Sequence, residues 1–285
     1  MDKIIYRVSA FPSDNKGGNE AGVVLDCADL SEKTMQQVAA QVGYSETAFL
    51  MPSKKADYKI RYFTPITEVD LCGHATIAAF NLLRNLDIIT QGRYSLETNQ
   101  EILEINVKEK HVFMQLGKMS LKDGPDKTEI KQSLGLSDAQ LTKNPTKIIS
   151  TGVEEIFLEV KDLKTLHRLN LDPLRLQRLC EKHHVKGLYL FTLETHDQES
   201  HAQGRNFLPV LGIPEESATG TASGALAIYM DQVLNKQQKA YRFEQGDAMQ
   251  KPSRIHVELI KSHRDITRVN VGGAMRFIDK ILKFM

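Results

Sequence analysis

The sequence is poor in cysteine, in net charge and in long apolar runs. Its three cysteines, Cys27, Cys72 and Cys180, are scattered over 285 residues, which does not fit a disulfide framework or a zinc motif and is typical of a reducing compartment. The 37 basic residues nearly balance the 36 acidic ones, so charge gives no reason to expect nucleic acid or an anionic membrane as a partner. No apolar run of about 18 residues is present, and the charged N-terminus lacks the apolar core of a signal peptide. We therefore expect a soluble cytoplasmic protein.

The segment that organises the chain is an apolar helix that begins just after Gly73. Its first residues are His74, Ala75 and Thr76, and the following residues are mostly small or apolar without a strong polar face. Such a helix is expected to be enclosed by sheet rather than to lie on a surface. Its N-terminus exposes backbone N–H groups and partial positive charge, which suit an anion.

Other periodic segments predict mainly strands. An amphipathic helix is predicted over Leu30–Val42, ended by Gly43, and a second one over Asp172–His183. Strands are predicted at Lys3–Val8, Ala21–Leu25, Ser45–Met51, Tyr58–Thr64, Arg93–Thr98, Ile102–Val107, His111–Leu116, Lys147–Thr151, Ile156–Val160, Gly187–Thr192, Arg205–Val210, Tyr241–Gln245, Arg254–Leu259, Arg268–Val271 and Ala274–Ile278. The polar stretch His196–Gly204 and the segment Glu215–Gly220 are predicted to be turn or loop.

The two halves of the chain repeat one pattern. Each contains a helix, a strand, an Arg-x-Phe-x-Pro pentapeptide (from Arg61 and from Arg205) and then an Ala-Thr pair at a second, apolar helix. The second apolar helix is predicted over Thr221–Leu234. Two pseudo-equivalent domains are expected, with the crossing near residue 119. A cleft between two such domains is a preferred place for a small-molecule site.

Three side chains carry the acid/base chemistry that the sequence suggests, and each also has a plain structural interpretation. Glu46 precedes a strand and can act as a general acid/base if burial raises its pKa, although most such glutamates are only solvated. His74 can orient a substrate or serve as a polar residue at a helix start. Glu216 precedes the second apolar helix, where an acid is favoured by the helix dipole alone.

The remaining motifs restrict the chemistry further. Gly220, Thr221 and Ala222 offer backbone N–H groups and a hydroxyl that suit a carboxylate, but neither a P-loop nor a dinucleotide fingerprint is present. The paired histidines (183–184, and 196 with 201) lack metal-ligand spacing with a third partner, so no metal site is expected. Cys72 is expected to be an inert small residue.

Five motifs together resemble those of the PhzF-like phenazine-biosynthesis isomerase family. They run from the N-terminus to the last helix, as G-N-E-A-G-V-V from Gly18, S-E-T-A-F from Ser45, F-T-P from Phe63, C-G-H-A-T from Cys72 and E-E-S-A-T-G-T-A from Glu215. The resemblance implies an α+β fold like that of diaminopimelate epimerase. In that fold, two pseudo-symmetric domains each wrap a mixed, barrel-like sheet around a central apolar helix. We expect an N-terminal domain over residues 1–118, completed by a strand at about 274–285, and a C-terminal domain over 119–273.

The resemblance also implies cofactor-free isomerisation by proton shuttling, with no metal. Glu46 would be the acid/base, while His74 and Glu216 would bind and polarise the substrate. Ser45, Gly73, Gly220 and Thr221 would cradle a carboxylate of the substrate. The sequence departs from the family pattern at Glu20 (usually Pro), at Glu216 and Ser217 (usually Asp and Pro) and at Thr221 (usually Ser).

The sequence therefore predicts an isomerase that acts on a small carboxylate-bearing substrate. A homodimer is expected because it is the commonest assembly of such enzymes. Two alternatives stay open. A binding or interaction protein on the same fold is one, because the acid-bearing loop is altered. An epimerase or racemase that uses Glu46 with another base is the other. The cysteine pair of diaminopimelate epimerase is not evident, which speaks against a two-cysteine racemase.

Overall fold

The structure of the protein is a computed structural model that describes residues 2–284. In chain order the helices are α1 Glu32–Val42, α2 Gly73–Asn85, α3 Lys127–Leu134, α4 Leu163–Arg168, α5 Pro173–Lys182 and α6 Gly220–Gln232. The strands are β1 Asp2–Ala10, β2 Asn19–Leu25, β3 Glu46–Met51, β4 Tyr58–Phe63, β5 Glu68–Val69, β6 Gly92–Glu97, β7 Ile102–Val107, β8 Val112–Gln115, β9 Ser120–Asp123, β10 Lys147–Ser150, β11 Glu155–Glu159, β12 Gly187–Thr192, β13 Ala202–Leu208, β14 Ile213–Glu216, β15 Ala240–Gln245, β16 Ser253–Ser262, β17 Asp265–Gly273 and β18 Met275–Phe284.

Contacts divide the chain into two units. Unit 1 contains the residues up to Gln115 together with those from Gly272 onward, and unit 2 is Leu116–Val271. The C-terminal strand β18 belongs to unit 1 because it pairs antiparallel with β1. Among residues 2–284, no helix combines the length and the apolar character needed to span a bilayer.

Unit 1 is a mixed sheet that surrounds α2. The antiparallel strands β18, β1 and β2 continue into a parallel β2–β3 pair, and β4 lies antiparallel to β3 and parallel to β6, which leads to β7 and β8. Helix α2 packs against β1, β2, β3, β7, β8 and β18. This enclosure explains its composition, because every residue from His74 to Leu83 is buried.

Unit 2 repeats the same pairing pattern around α6. Here β11 and β12 are parallel, β13 is antiparallel to β12 and to the short β14, and β15 is parallel to β13. These relations reproduce those of β2, β3, β4, β5 and β6 in unit 1. Helix α6 is buried along almost its whole length. Each unit is therefore a mixed sheet on a central apolar helix, as expected for the diaminopimelate epimerase-like fold.

The repeated Arg-x-Phe-x-Pro pentapeptide has a structural reason in both units. Arg61 lies 5.1 Å over the ring of Phe63 and binds both carboxylate oxygens of Glu68 on the short strand β5. Arg205 lies 4.9 Å over the ring of Phe207 and binds Glu215 on β14 in the same bidentate way. The motif thus fixes a short hairpin strand just before each central helix.

Three sequence-based predictions were wrong in detail. The segment predicted as a loop at Glu215–Gly220 begins as strand β14, which Arg205 holds in place. Strand β13 begins at Ala202, inside the predicted turn, because Gln203 and Gly204 pair with both β12 and β15. Gly204 also leaves room for the ring of Tyr189, since a Cβ there would lie 2.2 Å from the tyrosine oxygen. The two Ala-Thr pairs are not equivalent, since Thr76 lies inside α2 while Thr219 is the N-cap of α6.

Candidate active site

Glu46 is the first residue of β3 and is held there by two neighbouring features. Helix α1, capped by Ser31, ends at Gly43 in the left-handed conformation, so the chain turns directly into β3. The parallel pairing of Glu46 with Ala21 of β2 then fixes the residue at the end of the sheet. Its side chain is 18% exposed, and its Oε2 atom is buried without a well-formed hydrogen bond among the described residues. The backbone of Glu46 is thus fixed at the strand end, and its carboxylate lies there mostly buried.

His74 lies in the first turn of α2 and faces Glu46. The imidazole is 5% exposed, and its Nε2 atom lies 3.4 Å from Oε2 of Glu46. On the other side of the ring, Nδ1 lies 3.4 Å from Nδ2 of Asn19 and 3.4 Å from the thiol of Cys72. The structure brings together two of the predicted catalytic residues, one from a strand and one from a helix of unit 1.

The neighbours of the imidazole indicate its tautomer. The Asn19 amide nitrogen can only donate, whereas the Cys72 thiol can donate or accept, so the Asn19 contact favours Nδ1 as the acceptor. A neutral ring then carries its hydrogen on Nε2, which points toward the carboxylate of Glu46. This arrangement gives a carboxylate a donor that can orient it and stabilise its charge.

The same three side chains have the composition of a metal site. One ligand atom each from Glu46, Cys72 and His74 lie within 4.8 Å of one another. Oxygen, sulfur and nitrogen donors at such spacing suit a tetrahedral Zn²⁺ with one open position. The sequence did not predict this cluster because Glu46 is distant in the chain from the Cys-x-His pair.

The predicted carboxylate cradle of unit 1 lies beside this pair. Gly73 begins α2, and the preceding Cys72 makes no side-chain cap to the helix. A Cβ at Gly73 would touch only Met114, at an ordinary 3.5 Å, so the site has room next to the helix start. Ser45 lies in the exposed bend immediately before β3.

Glu216 ends β14 and is tied to the start of α6. Its Oε2 atom accepts a hydrogen bond from the Thr219 hydroxyl at 2.6 Å, and its backbone oxygen accepts one from Gln245 at 2.8 Å. Gln245 also bonds both the backbone N–H and the hydroxyl of Thr219. This fully buried glutamine therefore fixes the loop that carries Glu216.

Helix α6 begins at Gly220, one residue before the start predicted at Thr221. The backbone oxygen of Thr221 accepts a hydrogen bond from the Thr151 hydroxyl at 2.8 Å. The methyl group of Thr221 would lie 3.3 Å from a Cβ at Gly152, so unit 2 leaves little space on that side of the helix start.

Sequence reasoning missed three residues of these sites. Asn19 contacts His74, Gln245 fixes the Glu216 loop, and Glu155 is a fully buried carboxyl group whose pKa is affected by Glu216. Asn19 lies inside the G-N-E-A-G motif, which was a usable signal. The other two are separated by about 30 to 60 residues from their partners and stand in no motif.

Solved structures define the class of fold. A hydroxyproline epimerase from Agrobacterium vitis, 12% identical, superposes with a TM-score of 0.60, with 99% of this chain and 92% of that chain covered. The Bacillus anthracis phenazine biosynthesis protein of the PhzF family is much more similar, with a TM-score of 0.92, 28% identity and complete coverage of both chains. The fold is therefore the one shared by PhzF proteins and epimerases of this kind.

Sequence comparison then identifies the family. The family model for phenazine biosynthesis-like proteins matches residues 8–278. The uncharacterized isomerase YfhB of Bacillus subtilis is 32% identical, with 98% of each chain covered. The uncharacterized isomerase YddE of Escherichia coli K12 is 30% identical, with 96% of this chain and 95% of the relative covered. The chain belongs to the PhzF-like phenazine-biosynthesis family and is an isomerase of that family.

Proposed function

We propose that the protein is a cofactor-independent isomerase that moves a proton between carbons of a small carboxylate-bearing substrate. The observation that supports this proposal is the contact between Glu46 and His74 at the start of α2. A mostly buried carboxylate at a strand end, whose Oε2 atom lies 3.4 Å from Nε2 of a buried histidine, has the parts of a general acid/base.

In the proposed reaction, Glu46 removes a proton from a carbon next to a double bond of the substrate. The electron pair of the broken C–H bond forms a new double bond to the adjacent carbon. The electron pair of the former double bond then forms a C–H bond with a proton at its far carbon. Glu46 returns the proton there, so the enzyme ends in its starting state. His74 Nε2–H orients the carboxylate and lowers the energy of its charged form.

The substrate carboxylate is proposed to bind at helix starts. The N-terminus of α2 at Gly73 combines partial positive charge with free space beside Met114. For unit 2 we propose a ligand contact for Glu216, with Gly220 and Thr221 beside it. Ser45 is proposed as an additional polar contact next to Glu46.

The test is solvent deuterium incorporation into a panel of small unsaturated carboxylates in D₂O, read by mass spectrometry and NMR. We expect wild-type protein to label its substrate and Glu46→Gln to lose the activity by at least about a hundredfold. Glu101→Gln, which removes an exposed carboxylate in a turn, is the matched control and should label at the wild-type rate. Unchanged labelling by Glu46→Gln would exclude Glu46 as the acid/base.

The same experiment separates the alternative functions. Label at the carbon that lost the proton, with inverted configuration, would indicate an epimerase or racemase. Label at a different carbon indicates the proposed isomerisation. Ligand binding by wild-type protein and by Glu46→Gln alike, with no label in any acid, would indicate a binding protein on this fold.

A further inference from the structure

Among residues 2–284, one group of histidine, cysteine and acidic side chains has the spacing of metal ligands. It consists of Glu46, Cys72 and His74, whose ligand atoms all lie within 4.8 Å of one another. The side chains of Glu46 and His74 are 18% and 5% exposed, and Cys72 is buried. Because their surroundings exclude most water, these donors meet an ion in a setting of low polarity.

The distances around His74 are close to those of a tetrahedral zinc site. Its Nε2 atom lies 3.4 Å from Oε2 of Glu46 and 3.9 Å from the sulfur of Cys72. With zinc–ligand bonds of about 2.0–2.3 Å, a tetrahedron places neighbouring ligand atoms roughly 3.3–3.6 Å apart. The carboxylate oxygen already lies at that separation. The sulfur lies closer to Nδ1, at 3.4 Å, so Cys72 has to turn about its side-chain torsion to join the same ion.

The donor set of this group selects the kind of ion. A thiolate and an imidazole are ligands that suit Zn²⁺, whereas Mg²⁺ and Ca²⁺ prefer a shell made of oxygen atoms. Three protein ligands leave the fourth position of a zinc tetrahedron to water or to another ligand. Zn²⁺ is therefore the ion that this group fits, and Mg²⁺ is a natural control.

The other two cysteines lie in surroundings that disfavour a metal. The thiol of Cys27 lies 3.2 Å from the backbone oxygen of Leu50, to which it donates, and burial raises its pKa to about 12. Burial also raises the pKa of Cys180 to about 12. Both side chains therefore remain thiols at neutral pH, and a thiolate is the form that binds metal. Cys180 is buried like Cys72 and stands outside the group, so it serves as a matched control.

A zinc ion in this place engages the atoms that the proposed reaction uses. An oxygen of Glu46 that gives its electron pair to the metal no longer accepts a proton from carbon. The hydrogen on Nε2 of His74 moves to Nδ1, where the amide oxygen of Asn19 accepts it once the amide has turned over. The Cys72 thiol releases its proton to solvent. Each ion bound thus releases one proton, and no oxidant or reductant is required.

We propose that Glu46, Cys72 and His74 form a regulatory Zn²⁺ site, in which the bound ion occupies the general base and switches the isomerase off. Cys72 is the residue that makes a metal site of the Glu46–His74 pair, because it supplies the third ligand. Removal of the ion by a chelator frees Glu46 and restores the activity. The inhibitory effect rests on the proposed function, whereas the binding of zinc does not.

The first test measures zinc affinity without substrate, by competition with a chromophoric chelator. We expect one Zn²⁺ per chain and no comparable binding of Mg²⁺. Cys72→Ala and Glu46→Gln should each weaken the affinity at least about tenfold, since loss of even an outer partner of a ligand costs about 10- to 100-fold. Cys180→Ala should bind zinc as wild type does. If Cys72→Ala folds poorly, Cys72→Ser gives the same reading with a side chain of similar shape. Affinity that is unchanged in the Cys72 or Glu46 variants overturns the site.

The second test follows deuterium labelling of the substrate at controlled free Zn²⁺. Wild-type labelling should fall as the site fills, to about a tenth at ten times the Kd, and should return when a chelator is added. At the same Zn²⁺ concentration, Cys72→Ala should keep most of its own metal-free rate. Full labelling at a saturated site overturns the regulatory role, and so does faster labelling, which would indicate a catalytic metal.

The two tests also separate this inference from the proposed function. If Glu46→Gln loses labelling but keeps the zinc affinity of wild type, the zinc site is refuted and the proposed function stands. If Glu46→Gln keeps labelling but binds zinc more weakly, the proposed function is refuted and the zinc site stands without its regulatory role.

Discussion

At the scale of single residues, the start of α2 combines a glycine, a thiol and an imidazole in three consecutive positions. Cys72 and His74 are buried by the enclosing sheet, while Gly73 keeps some exposure. The sequence showed this C-G-H-A-T motif, and it also showed the S-E-T-A-F motif that contains Glu46. Their proximity depends on the parallel pairing of β2 with β3, which brings residue 46 beside the helix start.

Gly73→Ala tests the carboxylate cradle without disturbing the fold. Because a Cβ would meet only Met114 at 3.5 Å, we expect the free energy of unfolding to change by less than about 1 kcal/mol. A carboxylate bound against the backbone of the first turn would be displaced by the methyl group, so we expect binding to weaken at least about tenfold, as a misfit of about 1.4 kcal/mol would do. Calorimetric titration with a substrate acid, beside urea unfolding, measures both; equal affinities would contradict a cradle at Gly73.

Added Zn²⁺ is expected to bind to Glu46, Cys72 and His74. Binding to the folded state alone should raise the Tm with increasing Zn²⁺ concentration, and a chelator should reverse the shift. Cobalt substitution should give a thiolate charge-transfer band. Cys72→Ala should lose both signals, whereas Cys180→Ala should keep them even if its starting Tm is lower. A Zn²⁺ effect that persists in Cys72→Ala would place the ion elsewhere.

At the scale of elements, each central helix is preceded by a short strand that an arginine holds. Arg205 also donates to the backbone oxygens of Leu166 and Leu169 at the end of α4, whereas the additional partner of Arg61 is the exposed Glu32. The sequence indicated the repeat, but a loop was predicted where β14 lies. The strand depends on a contact between residues ten apart that local propensity does not contain.

Replacement of these arginines should therefore have unequal effects. Arg205→Met leaves the largely buried Glu215 and two carbonyl oxygens without a partner, so we expect a loss of about 3 kcal/mol in the free energy of unfolding. Arg61→Met leaves carboxylates that water can reach, and its cost should be roughly 1 kcal/mol. Denaturant unfolding of both variants checks the order, and equal losses would show that the buried carbonyl contacts contribute little.

At the scale of the whole molecule, the buried carboxyl group makes stability depend on pH. Since burial and Glu216 raise the pKa of Glu155, the folded state binds a proton that the unfolded state has released above about pH 4.3. The free energy of unfolding should then fall with rising pH, by at most about 1.4 kcal/mol per unit, until pH passes the folded pKa. The contribution is thus fully present at low pH and lost as pH rises.

Glu155→Gln removes this dependence. We expect its stability relative to wild type to increase between pH 5 and pH 8 in urea unfolding experiments, because the amide never has to be ionised. Glu159→Gln should keep the wild-type slope. A difference between wild type and Glu155→Gln that stays constant over this range would mean that Glu155 titrates normally.

The sequence by itself determined the features that depend on local order: the apolar central helices, the cap residue Gly43, the repeat, and the motifs that identify the family. Only the tertiary structure decided which side chains meet. The Asn19–His74 contact, the Gln245 bonds to the Glu216 loop and the burial of Glu155 all join distant segments. Such contacts depend on strand register and on the volume left by neighbouring side chains, and neither quantity is encoded within one short window of sequence.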